Sequence, residues 1–220
     1  MRSLNFTPVL LIALFSLFSC TSGPTLQLTK GTSIALVGNN LGSRMMDFGG
    51  LETELHLRYP DSTLLIRNLC DPGDTPGFRP RSGTNDPWAF PGAEQFQDEF
   101  ATNSGSEGFF EKPDQWLTRL KADVVIGFFG FNESFQGEAK LQNFKDELEA
   151  WIVHSKAQRY NGKAAPQLAL VSPIAFEDLS DIRDLPNGKK ENENLALYTE
   201  AMREVAKRNK NATHGCRCKL

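Results

Sequence analysis

The chain has 220 residues, 24 Lys and Arg against 27 Asp and Glu, and 40% hydrophobic residues. That length suits one α/β domain with its own core, and a net charge of −3 argues against the basic stripe of a nucleic-acid binder. Four cysteines without a C-x-x-C pair, and three histidines, exclude a disulfide scaffold, a zinc ribbon and a multi-histidine centre, so no metal and no cofactor are expected.

The first element in chain order is an address. Arg2 precedes an apolar run, Val9 to Phe18, interrupted only by Ser16. The run is well short of the ~20 residues that cross a bilayer, but it suits the core of a signal peptide. Leu17-Phe18-Ser19-Cys20 resembles a bacterial lipobox, in which cleavage precedes the cysteine and Cys20 receives the lipid. The other reading is an ordinary secretory signal cut nearby. Both export the chain, the first to the periplasm or cell surface with a lipid anchor as its only membrane attachment. The expected division is signal peptide 1–19, linker 20–31, folded domain 32–210 and an atypical tail 211–220.

The folded part alternates strand and helix. Ser33 to Val37 reads as a buried strand, and Ser43 to Tyr59 follows as a helix that Pro60 stops. Thr63 to Leu69, Asp123 to Phe129 and Gln167 to Val171 are the next strands. Gly137 to Lys156 carries Leu141, Phe144, Leu148, Trp151 and Ile152 on one helical stripe, and Glu193 to Lys207 repeats the pattern. Apolar strands separated by helices predict a parallel sheet covered on both faces, the three-layer α/β flavodoxin-like arrangement with strand order two-one-three-four. The tail after Lys210 has no apolar run, so the fifth place in the sheet is expected to be empty.

Cys70 to Lys112 breaks the rhythm with Gly, Pro and charged residues. A loop of that length is usually functional. Arg79, Arg81, Trp88 and Phe90 could grip a polar ligand, or the aromatics could simply plug the end of the sheet.

Ligands of open parallel sheets bind outside the strands' carboxyl ends. There the first three strands run into Gly38-Asn39-Asn40-Leu41, Asn68-Leu69-Cys70-Asp71-Pro72-Gly73 and Gly130-Phe131-Asn132-Glu133. These three turns in this order resemble the SGNH/GDSL hydrolase superfamily, over roughly residues 32–210. The strings GNNLGSRM, RNLCDPGD and GFFGFNESF further resemble a subgroup with a Gly-Asn-Asn-Leu first turn, as in planctomycete-like bacteria. The resemblance implies an exported hydrolase of ester bonds, such as those of an acylated carbohydrate or another small molecule. It places Asn40 at the nucleophile position and gives the oxyanion hole to the Asn40 N–H, the Gly73 N–H and the Asn132 side chain.

Two departures follow from the residues themselves. Asn40 stands where the family has serine, and a carboxamide has no proton to lose at neutral pH. The family's Asp-x-x-His is also missing: Asn211-Ala212-Thr213-His214 imitates its spacing, but no apolar strand precedes it. Ser43 and Ser134 are alternative attackers, and Glu133 is a candidate base or a structural carboxylate. Asn39, Arg44, Arg79 and Arg81 are the candidate ligand-binding residues. An esterase with an unusual mechanism, a catalytically inactive ligand- or carbohydrate-binding module, and a truncated form of a longer enzyme all remain open.

Overall fold

The computed structural model describes residues 25–79, 88–97, 112–210 and the backbone of 212–214. β1 (Ser33–Gly38) is buried at every position, as a strand covered on both faces must be. It leads into a short helix α1 (Asn40–Arg44) and then α2 (Gly50–Arg58), so the single helix expected over 43–59 is two pieces split at Met45–Gly49. No residue of α2 is fully buried, and helical periodicity alone could not hold the two pieces in one line. β2 (Leu65–Asn68), α3 (Pro113–Arg119), β3 (Val124–Phe128), α4 (Phe131–Ser134), α5 (Leu141–Ala157), β4 (Gln167–Val171) and α6 (Lys189–Arg208) follow.

All the strand pairs are parallel, and the sheet order is β2-β1-β3-β4-β5, where β5 is Ala212–His214. The three-layer α/β architecture is therefore as expected, but the empty fifth place is not. β5 runs alongside β4, pairing Ala169 with Ala212 and Val171 with His214. A three-residue edge strand is held by backbone hydrogen bonds on one side only, so it needs no apolar run to form. It also covers the end of the β4 edge that would otherwise lie open to other chains.

One core cluster packs α5 and α6 against the sheet through Phe129, Phe144, Leu148, Trp151, Tyr198 and Met202. The other lies on the α1–α2 side around Ile34, Ile66, Val124 and Phe128. Leu26 and Leu28 pack against this second cluster, and Gln27 exchanges two hydrogen bonds with Gln167 of β4. Part of the expected linker is thus seated on the domain. Phe90 of the long loop is buried in the first cluster, with its ring 5.7 Å from His154 and 6.3 Å from Phe96. Of the two readings for this loop, Phe90 follows the plug. After β4 the chain is tied to α6 by Asn192, whose side chain accepts from Phe176 N and donates to Phe176 O.

The register brings the strands' carboxyl ends into line. Gly38 pairs with Phe128, Phe128 with Val171, and Val171 with His214. The turns after β1, β2 and β3 meet on this rim.

Candidate active-site crevice

Asn40 opens α1 at the end of β1, and Asn132 sits in α4 just past β3. Asn40 Nδ2 donates to Asn132 Oδ1 at 2.8 Å. Asn132 Nδ2 donates in turn to Pro72 O at 2.6 Å and to Asp74 O at 3.2 Å, which bracket Gly73 in the turn after β2. The three turns therefore converge through one chain of amide hydrogen bonds. Both hydrogens of the Asn132 amide are committed to backbone carbonyls, and the Gly73 N–H donates to Asp71 Oδ1 at 3.2 Å. Two of the three oxyanion donors implied by the resemblance are satisfied inside the protein. Sequence order predicted neighbours here but could not show that they bind one another.

Beneath this rim lies a second polar layer. Asn39 is 1% exposed, and its Nδ2 donates to Asp74 O and to Glu133 Oε2, both at 3.2 Å. Glu133 Oε2 also accepts from the Gly130 N–H at 2.8 Å. Expected as a ligand contact, Asn39 faces inward and braces the floor. Glu133 is buried too, as a structural carboxylate under the crevice and not as a base lining it. Burial first, and the charge of Glu147 second, push the Glu133 carboxyl up to about 8. An acid raised in the folded state costs stability as pH climbs from its ordinary 4.5 through 8. Tm should therefore be higher near pH 5.5 than near pH 8.5, and Glu133→Gln should flatten that slope in a thermal melt. Burial raises Glu147 and Asp74 in the same direction, so a residual slope persists.

The arginines divide. Arg79 is turned into the protein, its Nε 3.1 Å from buried Asp74 and its guanidinium donating to Leu69 O and lying over Trp116. It holds the turn after β2 and is not a ligand contact, because buried Asp74 needs a counter-charge that no sequence pattern announced. Arg44 is exposed at the end of α1 and lines an apolar cavity of about 220 Å³ together with Asn40, Phe128, Phe131, Val171 and Ile174. Ser172, at the same cavity, has a buried hydroxyl without a hydrogen-bond partner. It was missed because a lone serine after a strand carries no pattern. Arg81 and Cys20 lie outside the described residues.

The alternative nucleophiles fare no better. Ser134 Oγ donates to Phe131 O, and Ser43 is half-buried within α1. Burial raises the Cys70 thiol well above its ordinary value, which makes it an inert core group. His154 pairs with Asp114 at 2.8 Å on α5, and His56 with Glu52 at 3.8 Å on α2. Among the described residues no group of three or more His, Cys, Asp or Glu side chains is placed to hold a metal.

No family model matches the chain, and no curated protein matches it. Among solved structures, the chain is similar in fold to an aryl esterase of M. smegmatis, with a TM-score of 0.51, 11% identity, and 84% of each chain covered. The fold is that of the SGNH/GDSL esterases. An acetyl-xylooligosaccharide esterase from Geobacillus is similar at TM-score 0.50 and 12% identity, over 86% of this chain and 77% of that one. A gut microbial diltiazem-metabolizing enzyme is similar at TM-score 0.52 and 17% identity over 89% of this chain. The present chain spans 38% of that enzyme's length. In the SGNH fold the rim that gathers Asn40, Gly73 and Asn132 is the end of the sheet where ligands of parallel α/β proteins bind.

Proposed function

We propose that this is an exported SGNH-fold protein that binds the acyl end of a small-molecule or carbohydrate ester without serine-type hydrolysis. The observation that carries the reading is the chain of amides from Asn40 through Asn132 to Pro72 and Asp74. It puts a carboxamide where the attacking hydroxyl would be and engages the Asn132 donor, and Asp71 Oδ1 separately takes the Gly73 N–H, so two donors that hydrolysis would need are occupied. Binding needs less: an apolar cavity beside polar side chains, which the rim supplies at Asn40, Arg44, Phe131 and Ile174. Export and the Cys20 anchor belong to this proposal and rest on the apolar run and the lipobox-like string. Calorimetric titration with an acetylated xylo-oligosaccharide and with p-nitrophenyl butyrate, followed by product analysis, tests the reading. Heat without product supports it; product at serine-esterase rates, or no heat with either ester, overturns it.

A second reading, an esterase that has lost only its serine, is favoured by β5. The backbone of His214 stands on the same register line as Gly38, at the end of the sheet where the family carries its base. Asn40→Ser separates the two. Under the binding reading it gains no ester turnover, because Asn132 and Gly73 are still committed. A gain of about 10²-fold or more that disappears in Asn40→Ser/His214→Ala would establish the second reading.

A further inference from the structure

The apolar cavity of about 220 Å³ beside Asn40 owes its wall to the strand register. Phe128 and Val171 are direct partners in adjacent parallel strands, so their side chains leave the same face of the sheet, the face that packs α1. Leu41 of α1, Phe131 of α4 and Ile174 from the segment after β4 add to the apolar wall. Among the described residues of that wall Arg44 carries the charge, and its side chain is 77% exposed, so the charge sits in water and the cavity stays apolar. The Asn40 side-chain amide, at the same wall, is bonded to Asn132 at 2.8 Å and ties the cavity to the rim where the turns meet. Apolar surface also continues outward. The ring of Phe131 meets that of Phe135 edge-on at 5.3 Å, Phe135 is 60% exposed, and Ile174 is 45% exposed.

Size and chemistry together narrow the occupant. A cavity of ~150 Å³ lined by such side chains takes benzene, which sets ~25 Å³ per carbon. By that measure 220 Å³ holds about eight carbons, and about six to eight once the exposed side at Ile174 is allowed for. An acetyl group would leave most of the space empty and most of the wall without contact. A sugar ring would press its hydroxyls against carbon without partners for them. We propose that the cavity selects esters by their acyl half, taking an aliphatic chain of about six to eight carbons, with Val171 and Ile174 bounding it. This inference rests on the reading of the crevice as an ester-binding site and narrows it. The alcohol half, sugar or otherwise, stays in solvent at the rim, and the acyl chain carries the affinity.

The test titrates the full chain by calorimetry with methyl acetate, methyl butyrate, methyl hexanoate and methyl octanoate, whose alcohol half is too small to fill the cavity. Each added methylene should tighten binding about fourfold, so that methyl octanoate binds about 10²-fold more tightly than methyl butyrate. Val171→Phe, which fills the cavity from the strand, should remove most of that difference. Should this variant fail to fold, Ile174→Asp places a charge at a half-exposed position and should weaken methyl octanoate at least about tenfold. Equal affinity across the four esters overturns the inference and leaves ester binding standing, whereas no heat with any of them overturns both. A chain-length preference that survives both substitutions also overturns it. A preference accompanied by rapid methanol release supports the acyl chain as the occupant and overturns only the non-hydrolytic reading.

Discussion

The full chain should hydrolyse short acyl esters about 10⁶-fold more slowly than a serine esterase of this fold. Removal of a nucleophile alone produces a loss of that order, with residual catalysis supplied by the oxyanion hole and by binding. Here even that residue should shrink. Asn132 gives both amide hydrogens to Pro72 O and Asp74 O, and the Gly73 N–H is bonded to Asp71, so an oxyanion would have to displace existing bonds. Steady-state assays with p-nitrophenyl acetate measure the rate, and mass spectrometry after a serine-directed phosphonate shows whether any hydroxyl is activated. Expected are a near-background rate and no adduct. Rapid turnover abolished by Ser43→Ala would identify a different nucleophile. Rapid turnover abolished by Glu133→Gln alone would mean that the buried carboxylate reaches a water in the crevice.

The second large effect is on stability. Gly38 ends β1 at φ +114°, with Asn39 N donating to Phe128 O at 2.8 Å directly beside it. A Cβ there would overlap Phe128 O and lie 2.7 Å from its carbonyl carbon, and backbone cannot swing aside as a side chain can. Gly38→Ala should therefore add a strained φ to a steric clash, for about 4 kcal/mol of lost stability and a fall in Tm of about 10 °C. Gly162, also at positive φ (+74°), has nothing within 4 Å of its would-be Cβ, so Gly162→Ala should cost about 1 kcal/mol. Urea unfolding of the two variants gives the comparison. Equal losses would show that β1 and β3 can separate enough to admit the methyl group, and that the rim is softer than the close pairing of Gly38 with Phe128 implies.

Much of the fold was legible before the tertiary structure. The apolar runs that became β1, β3 and β4, and the helical stripes of α5 and α6, are local patterns that each segment carries by itself. So are the three Gly- and Asn-bearing turns, and parallel topology alone sends them to one end of the sheet. Even Phe90 was legible as far as its two alternatives.

The partners of the polar groups were not. Asn40 and Asn132 are 92 residues apart, Asn39 and Glu133 are 94, and Asn132 and Pro72 are 60. A buried amide or carboxylate must find a partner, but which partner is chosen depends on how the turns pack in space. That packing turned Asn39 from a ligand contact into a brace, paired Arg79 with Asp74, and tied up the donors where the three turns meet at the strands' carboxyl ends. β5 follows the same logic. Ala212–His214 has no hydrophobic signature because its place depends on backbone bonds to β4, and those exist only once β4 has been set at the edge of the sheet. Local apolar periodicity determined the layers; non-local hydrogen bonding decided what the crevice can do, because burial makes every unpaired polar group costly.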